Sequence, residues 1–170
     1  SGSQPALLVL GYVDAHPKGA VQVWYSSRGE VLKLQNGRIV GTAGLATDWS
    51  SVSFSPALPD WNAVPAEGAA FTRTHDESPG YRAAITQRLQ LKPSPGLPPV
   101  ALPRSFPPAV ASRFAWYQER VVDPAASDLP PAWYAVGSYE GQRSVVYSEQ
   151  CLSASLCLKM QLWPPEKVAP

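Results

Sequence analysis

Two cysteines, two histidines and a scatter of carboxylates are the side chains through which this sequence could do chemistry. His16 lies two residues from Asp14 and His75 adjoins Asp76, but an acid beside a histidine is only part of a relay. Nucleophilic catalysis also needs a nucleophile held against the imidazole, and no motif here builds that placement. GxSxG, HExxH, the phosphate-binding loop and GxGxxG are all missing from the sequence. Glycoside hydrolysis needs two carboxylates at a set separation. Asp48, Asp60, Asp76, Glu77 and Glu119 are available, and nothing in their spacing selects a pair. The sequence therefore predicts no catalytic residues, no metal site and no cofactor. THDES, residues 74–78, reads as a solvated turn before Pro79-Gly80.

Cys151 and Cys157 stand six apart, too far for a CxxC redox pair and too few for a zinc site. Two readings remain: a disulfide closing a small loop, or a pair of reduced, half-buried thiols. An even cysteine count in a histidine-poor chain favours the disulfide, in an oxidising compartment, with Cα atoms about 4.4–6.8 Å apart.

Aromatic residues are the more suggestive chemistry. Six Trp and seven Tyr exceed what a small core requires, and the apolar C–H faces of sugars stack well on flat rings. Trp49 and Trp61 lie in loop-like, proline-flanked sequence and are the candidate contacts to a glycan or a partner. Trp24, Trp116, Trp133 and Trp163 sit in strand patterns and are expected to pack inside.

Positioning such residues falls to strands. The 170 residues are 45% apolar, enough for a real core, yet include 19 prolines, which interrupt helices and central strands. Fourteen basic residues scattered among thirteen acidic ones form no stripe, which argues against nucleic acid as a partner. The longest apolar stretch near the start is far short of the roughly 20 residues a transmembrane helix needs. Ser1-Gly2-Ser3 reads as a cloning remnant, so residues 1–5 are expected to be partly scar or tail.

Period-2 patterns recur. Tyr81, Ala83, Ile85, Gln87, Leu89 and Leu91 alternate with Arg82 through Lys92, and Leu156, Leu158, Met160 and Leu162 alternate near the end. Residues 21–45 read as a three-stranded meander whose Asn36-Gly37 supplies a two-residue hairpin turn. A second meander closes the chain, with Gly141-Gln142 at one turn and the cysteine loop at the other. Strands are expected over 7–13, 21–27, 31–35, 38–43, 81–91, 113–122, 133–138, 143–149 and 156–163. Two proline-rich stretches, FSPALPDWNAVPAEG and KPSPGLPPVALPRSFPP, read as long surface loops or linkers. The expectation is one all-β domain over residues 1–170, an antiparallel β-barrel or barrel-like sandwich built from meanders.

VWYSSRGEVLKLQNGRIVGTAGL, Val23 to Leu45, resembles the YjbF/GfcB family of exopolysaccharide and group 4 capsule lipoproteins. It carries a pattern like vLxLxNGRIvxTxGL, followed by an aspartate-containing segment at Ala46–Trp49. LLVLGYVD (Leu7 to Asp14) is similar to the family's first strand, and RSVVYSEQ (Arg143 to Gln150) to a later one. The resemblance implies a non-catalytic accessory lipoprotein of polysaccharide assembly and secretion, lipid-anchored to the outer membrane and facing the periplasm. It implies an outer-membrane β-barrel protein as partner. A carbohydrate-binding module gripping the secreted polymer is the alternative. Asn36, Gly37 and Arg38 carry the motif, and their expected role is to specify the turn.

Overall fold

The computed structural model describes residues 5–123 and 127–170 and is all-β, with 55% of residues in strands and 6% in helix. The chain forms two compact units. One comprises Ser1–Ser53 and Thr74–Thr86, the other Phe54–Arg73 and Gln87–Pro170.

The first unit is built on a four-stranded antiparallel sheet in the order β1-β2-β3-β4, from Leu8–Asp14, Val21–Ser26, Val31–Gln35 and Arg38–Ala43. Gln35 pairs directly with Arg38, so Asn36-Gly37 is a two-residue loop, with φ of 49° and 78°. Both dihedrals lie in the left-handed region that a type I′ turn demands. Gly37→Val should therefore cost about 1–3 kcal/mol, the strain of a β-branched residue forced to positive φ. A thermal melt that does not move would show that the turn has relaxed to another type. At the preceding turn the Ser26 hydroxyl accepts from the amides of Arg28 and Glu30 at 3.1 Å each and bonds the Glu30 carboxylate. That hydroxyl holds the Glu30 carboxyl below its ordinary range.

A second sheet runs in the order β11-β10-β9-β8-β7-β6-β5, with β12 (Val168–Ala169) added on β9. Its strands are β5 (Asp48–Ser55), β6 (Ala69–Ser78), β7 (Arg82–Ser94), β8 (Ala115–Val121), β9 (Ala132–Tyr139), β10 (Gln142–Ser153) and β11 (Leu156–Gln161). β5, β6 and β7 each contribute residues to both units. The closing meander, β9-β10-β11, turns one residue earlier than the sequence suggested. Tyr139 pairs with Gln142, so Glu140 and Gly141 form the turn at φ of 50° and 80°.

Three expectations are corrected here. THDES is not a solvated turn but the end of β6, with His75 buried. FSPALPDWNAVPAEG is not all loop. Phe54 ends the buried pattern of β5, and Trp61 enters the core from a single 3₁₀ turn at Trp61–Ala63. KPSPGLPPVALPRSFPP is not a linker. Within the second unit Phe106 is buried among Phe114, Trp116, Trp133 and Tyr147, with Val100 and Leu102 packed on the same cluster. Polar ties fasten this stretch to β11. Lys159 Nζ donates to the Ala101 carbonyl at 2.7 Å, and the Ser105 hydroxyl donates to Gln161 Oε1 at 2.7 Å. The chain then makes one helical turn, α1 (Pro108–Ala111), whose Ala111 carbonyl accepts from the Trp116 indole at 2.8 Å.

Candidate functional site

The motif residues of the first meander are mostly structural. Arg38 opens β4 fully buried, and Ile39 packs inside beside it. The loop from β4 to β5 is clasped by Asp48. Its Oδ1 accepts from the Thr42 hydroxyl at 2.8 Å and from the Leu45 amide at 3.2 Å, while Oδ2 accepts from the Gly44 amide at 2.9 Å. The Thr42 oxygen accepts in turn from the Trp49 amide at 3.1 Å. Gly44 has φ of +87°, so the bend needs glycine where the motif has it. The TxGL…D pattern is thus a carboxylate-closed corner.

Among the other carboxylates, Asp76, Glu77 and Glu119 are likewise engaged. Asp76 accepts from the Ala84 amide at 2.8 Å and from the Ser51 hydroxyl, and these bonds, the amide first, hold its carboxyl below the ordinary range. Ala84 and Ser51 both have positive φ, 53° each, so Asp76 fixes two bends at once. Glu77 meets Arg82 and lies 3.9 Å from His75. In the second unit Glu119 is buried 4.0 Å from Arg73, whose guanidinium donates to Gln87 Oε1 at 2.6 and 3.1 Å. Asp60 is exposed before the Trp61 turn, and His16 accepts from the Lys18 amide. Among the described residues no three His, Cys, Asp or Glu side chains gather where they could hold a metal ion.

Trp116 and Trp133 pack inside as the sequence reading expects, while Trp49, Trp61 and Trp163 depart from it. Trp49 lies in β5, not in a loop, at 2% exposure, with its ring centroid 4.2 Å from that of His75. Trp61 is 3% exposed, between Tyr117 and Tyr134 with centroids at 5.1 and 5.0 Å, and its carbonyl accepts from the Tyr117 hydroxyl. Neither offers an open indole face. Trp163, expected inside, is 62% exposed because β11 stops at Gln161 and no strand holds the residue inward. Cys151 and Cys157 are disulfide-bonded with Cα atoms 3.9 Å apart. This is shorter than the expected span because the two are directly opposed across β10 and β11 rather than at the ends of a loop.

Two features of the first sheet remain open. One is its edge strand β1, where Val9, Leu10, Tyr12 and Val13 are all exposed, as is Leu7 just before it. The other is a cleft of about 370 Å³ whose lining includes Tyr12, Tyr25, Lys33, Trp49, Ser50 and Ser51. Register places Tyr12, Val23, Lys33 and Gly41 in one cross-strand row and Val9, Tyr25, Val31 and Ala43 in another on the same face. Two glycines shape it. A Cβ on Gly11, at the β1 bulge, would overlap the Tyr25 ring, and one on Gly41 would meet Lys33 Cδ at 3.3 Å. Tyr25 and the stem of Lys33 therefore lie across backbone that other residues would block.

The family model for the group 4 capsule polysaccharide lipoprotein GfcB, YjbF, matches residues 1–97, more than half of the chain. The chain belongs to the YjbF/GfcB family. Family members are lipoproteins, which places this chain among proteins of the cell envelope. The match covers both the motif-bearing meander and residues 55–97, and stops short of the later strand that also resembled the family. A crystal structure of the hypothetical lipoprotein YmcC from Escherichia coli (K12) is similar at a TM-score of 0.61 and 22% identity, covering 91% of this chain and 77% of that one. That likeness carries the fold of the YjbF/GfcB chain beyond residue 97. No curated protein matches it.

Proposed function

We propose that this YjbF/GfcB protein is a non-catalytic accessory lipoprotein of exopolysaccharide or capsule assembly and secretion. It is tethered by lipid at the periplasmic side of the outer membrane and contacts an outer-membrane β-barrel protein of the secretion apparatus. The observation that carries this reading is β1. Its Val9 and Val13 are 62% and 53% exposed, and they point to opposite faces of an edge strand. Edge strands are ordinarily blunted by charge, proline or cover, and an apolar one is a template for a partner's extended segment. β1 has a bulge at Gly11 and one charge, Asp14, at its end.

The test is photo-crosslinking in cells from a photoreactive residue at Val13, which register places on the face opposite the cleft. The expected adduct is with an outer-membrane barrel protein of polysaccharide export, weakened by Val9→Glu in a protein that still melts cooperatively. Adducts with lipid alone, or none, would remove the accessory reading. The alternative, a module that grips the polymer directly, is favoured by one observation, the cleft.

A further inference from the structure

We infer that the cleft on the first sheet binds a carboxylate-bearing sugar residue within a segment of acidic polysaccharide. This rests on the polysaccharide role proposed above and names the ligand class. At about 370 Å³ the cleft has the size of a small-molecule site, near the lower end of the roughly 300–1,000 Å³ such sites occupy. Its walls carry two partly exposed tyrosines, Tyr12 and Tyr25, which join an apolar face to a hydroxyl. That combination suits a pyranose, whose C–H face stacks on a ring while its hydroxyls seek partners.

Charge sets the class. Lys33 is the one charged residue in the lining, and among the described residues no carboxylate pairs with it. The carboxylates of Asp48 and Asp76, on β5 and β6, are engaged elsewhere. Asp48 is closed by Thr42, Gly44 and Leu45, and Asp76 by Ser51 and Ala84. The hydroxyls of Thr42 and Ser51 are taken up by those bonds. The polar groups left for a ligand are the Lys33 ammonium, the two phenols and the Ser50 hydroxyl. An ammonium alone among hydroxyls in a concave site selects an anion that also accepts and donates hydrogen bonds. A uronic acid has both properties. Gly11 and Gly41 leave the room in which the Tyr25 ring and the Lys33 stem lie.

Isothermal titration calorimetry with trigalacturonate, and with maltotriose as its neutral counterpart, tests the assignment. Trigalacturonate should bind about tenfold or more tighter than maltotriose, and Lys33→Gln should weaken it by a similar factor, as loss of one charge-assisted bond implies. Lys33→Arg should keep most of the affinity, and added salt should lower it. Tyr12→Ala should weaken both sugars. Lys33 and Tyr12 are exposed, so these variants are expected to melt as the parent does. No heat with trigalacturonate, equal binding of maltotriose, or indifference to both Lys33→Gln and Tyr12→Ala would each overturn the inference. Crosslinking from Val13, repeated in the Lys33→Gln protein, separates the two readings. Adducts without sugar binding leave the accessory role standing and sink the cleft, while sugar binding without adducts does the reverse.

Discussion

Replacing Phe106 with alanine is expected to destabilise the second unit by about 3–5 kcal/mol, the range for truncating a buried aromatic ring. The side chain reaches the core from a stretch with five prolines between residues 98 and 108, yet it is only 2% exposed. Its ring stacks on Tyr147 with centroids 5.2 Å apart and planes 10° from parallel, and it meets Phe114 at 5.3 Å and Trp116 at 6.3 Å. Truncation removes the ring that touches the other three, and the disulfide-linked β10 and β11 leave little freedom for collapse into the gap. The measurement is a urea midpoint, which should fall without a change in slope. Leu97→Ala is the control, since Leu97 lies exposed in the same proline-rich run and should shift stability by no more than about 0.5 kcal/mol. Equal effects at the two positions would mean that the run lies loosely on the surface.

Asp48→Ala should cost about 2–3 kcal/mol, as expected for removing a charged acceptor that serves several donors. Three donors converge on the carboxylate, two of them backbone amides of a bend that only Gly44 can make. Without it the Thr42 hydroxyl loses its acceptor while still facing the Trp49 amide. Asp48→Asn separates charge from shape, because an amide can accept from one donor but presents N–H to another. It should fall between the parent and the alanine variant. Thermal melts that rank asparagine below alanine would show that the corner is held by something other than these bonds.

The two corners of the family motif differ in how far they could be read from residues. Asn36-Gly37 announces its turn by local chemistry alone, and β3 and β4 begin and end where the alternation places them. Asp48 is four residues from Gly44 and its partners are set by a bend that no alternation describes. β6 was invisible for a related reason. Its inward positions run Phe71, Arg73 and His75, so the buried face is mostly polar and the period-2 hydrophobic signal fails. Arg73 is tolerated there because Gln87 and Glu119 answer it from β7 and β8, a pairing far apart in sequence. β5 hides behind four serines in eight residues, one of them at positive φ. Trp49 and Trp61 were misplaced because flanking prolines and polar residues signal a loop, whereas Tyr117, Tyr134 and His75 decide where the rings go. The cleft was illegible altogether, since it depends on cross-strand register and on two glycines that read as ordinary strand residues.

The path of β5, β6 and β7 has a consequence for heredity as much as for structure. The backbone leaves the first unit after Ser53, returns at Thr74 and leaves again after Thr86. No single cut in the gene releases either unit whole, so neither can be lifted out, duplicated or fused elsewhere as a cassette. A recombination break at residue 53 would strand the Asp76 and His75 that serve Ser51 and Trp49 on the other side of the junction. The segment that must be inherited together extends at least from β1 through β7.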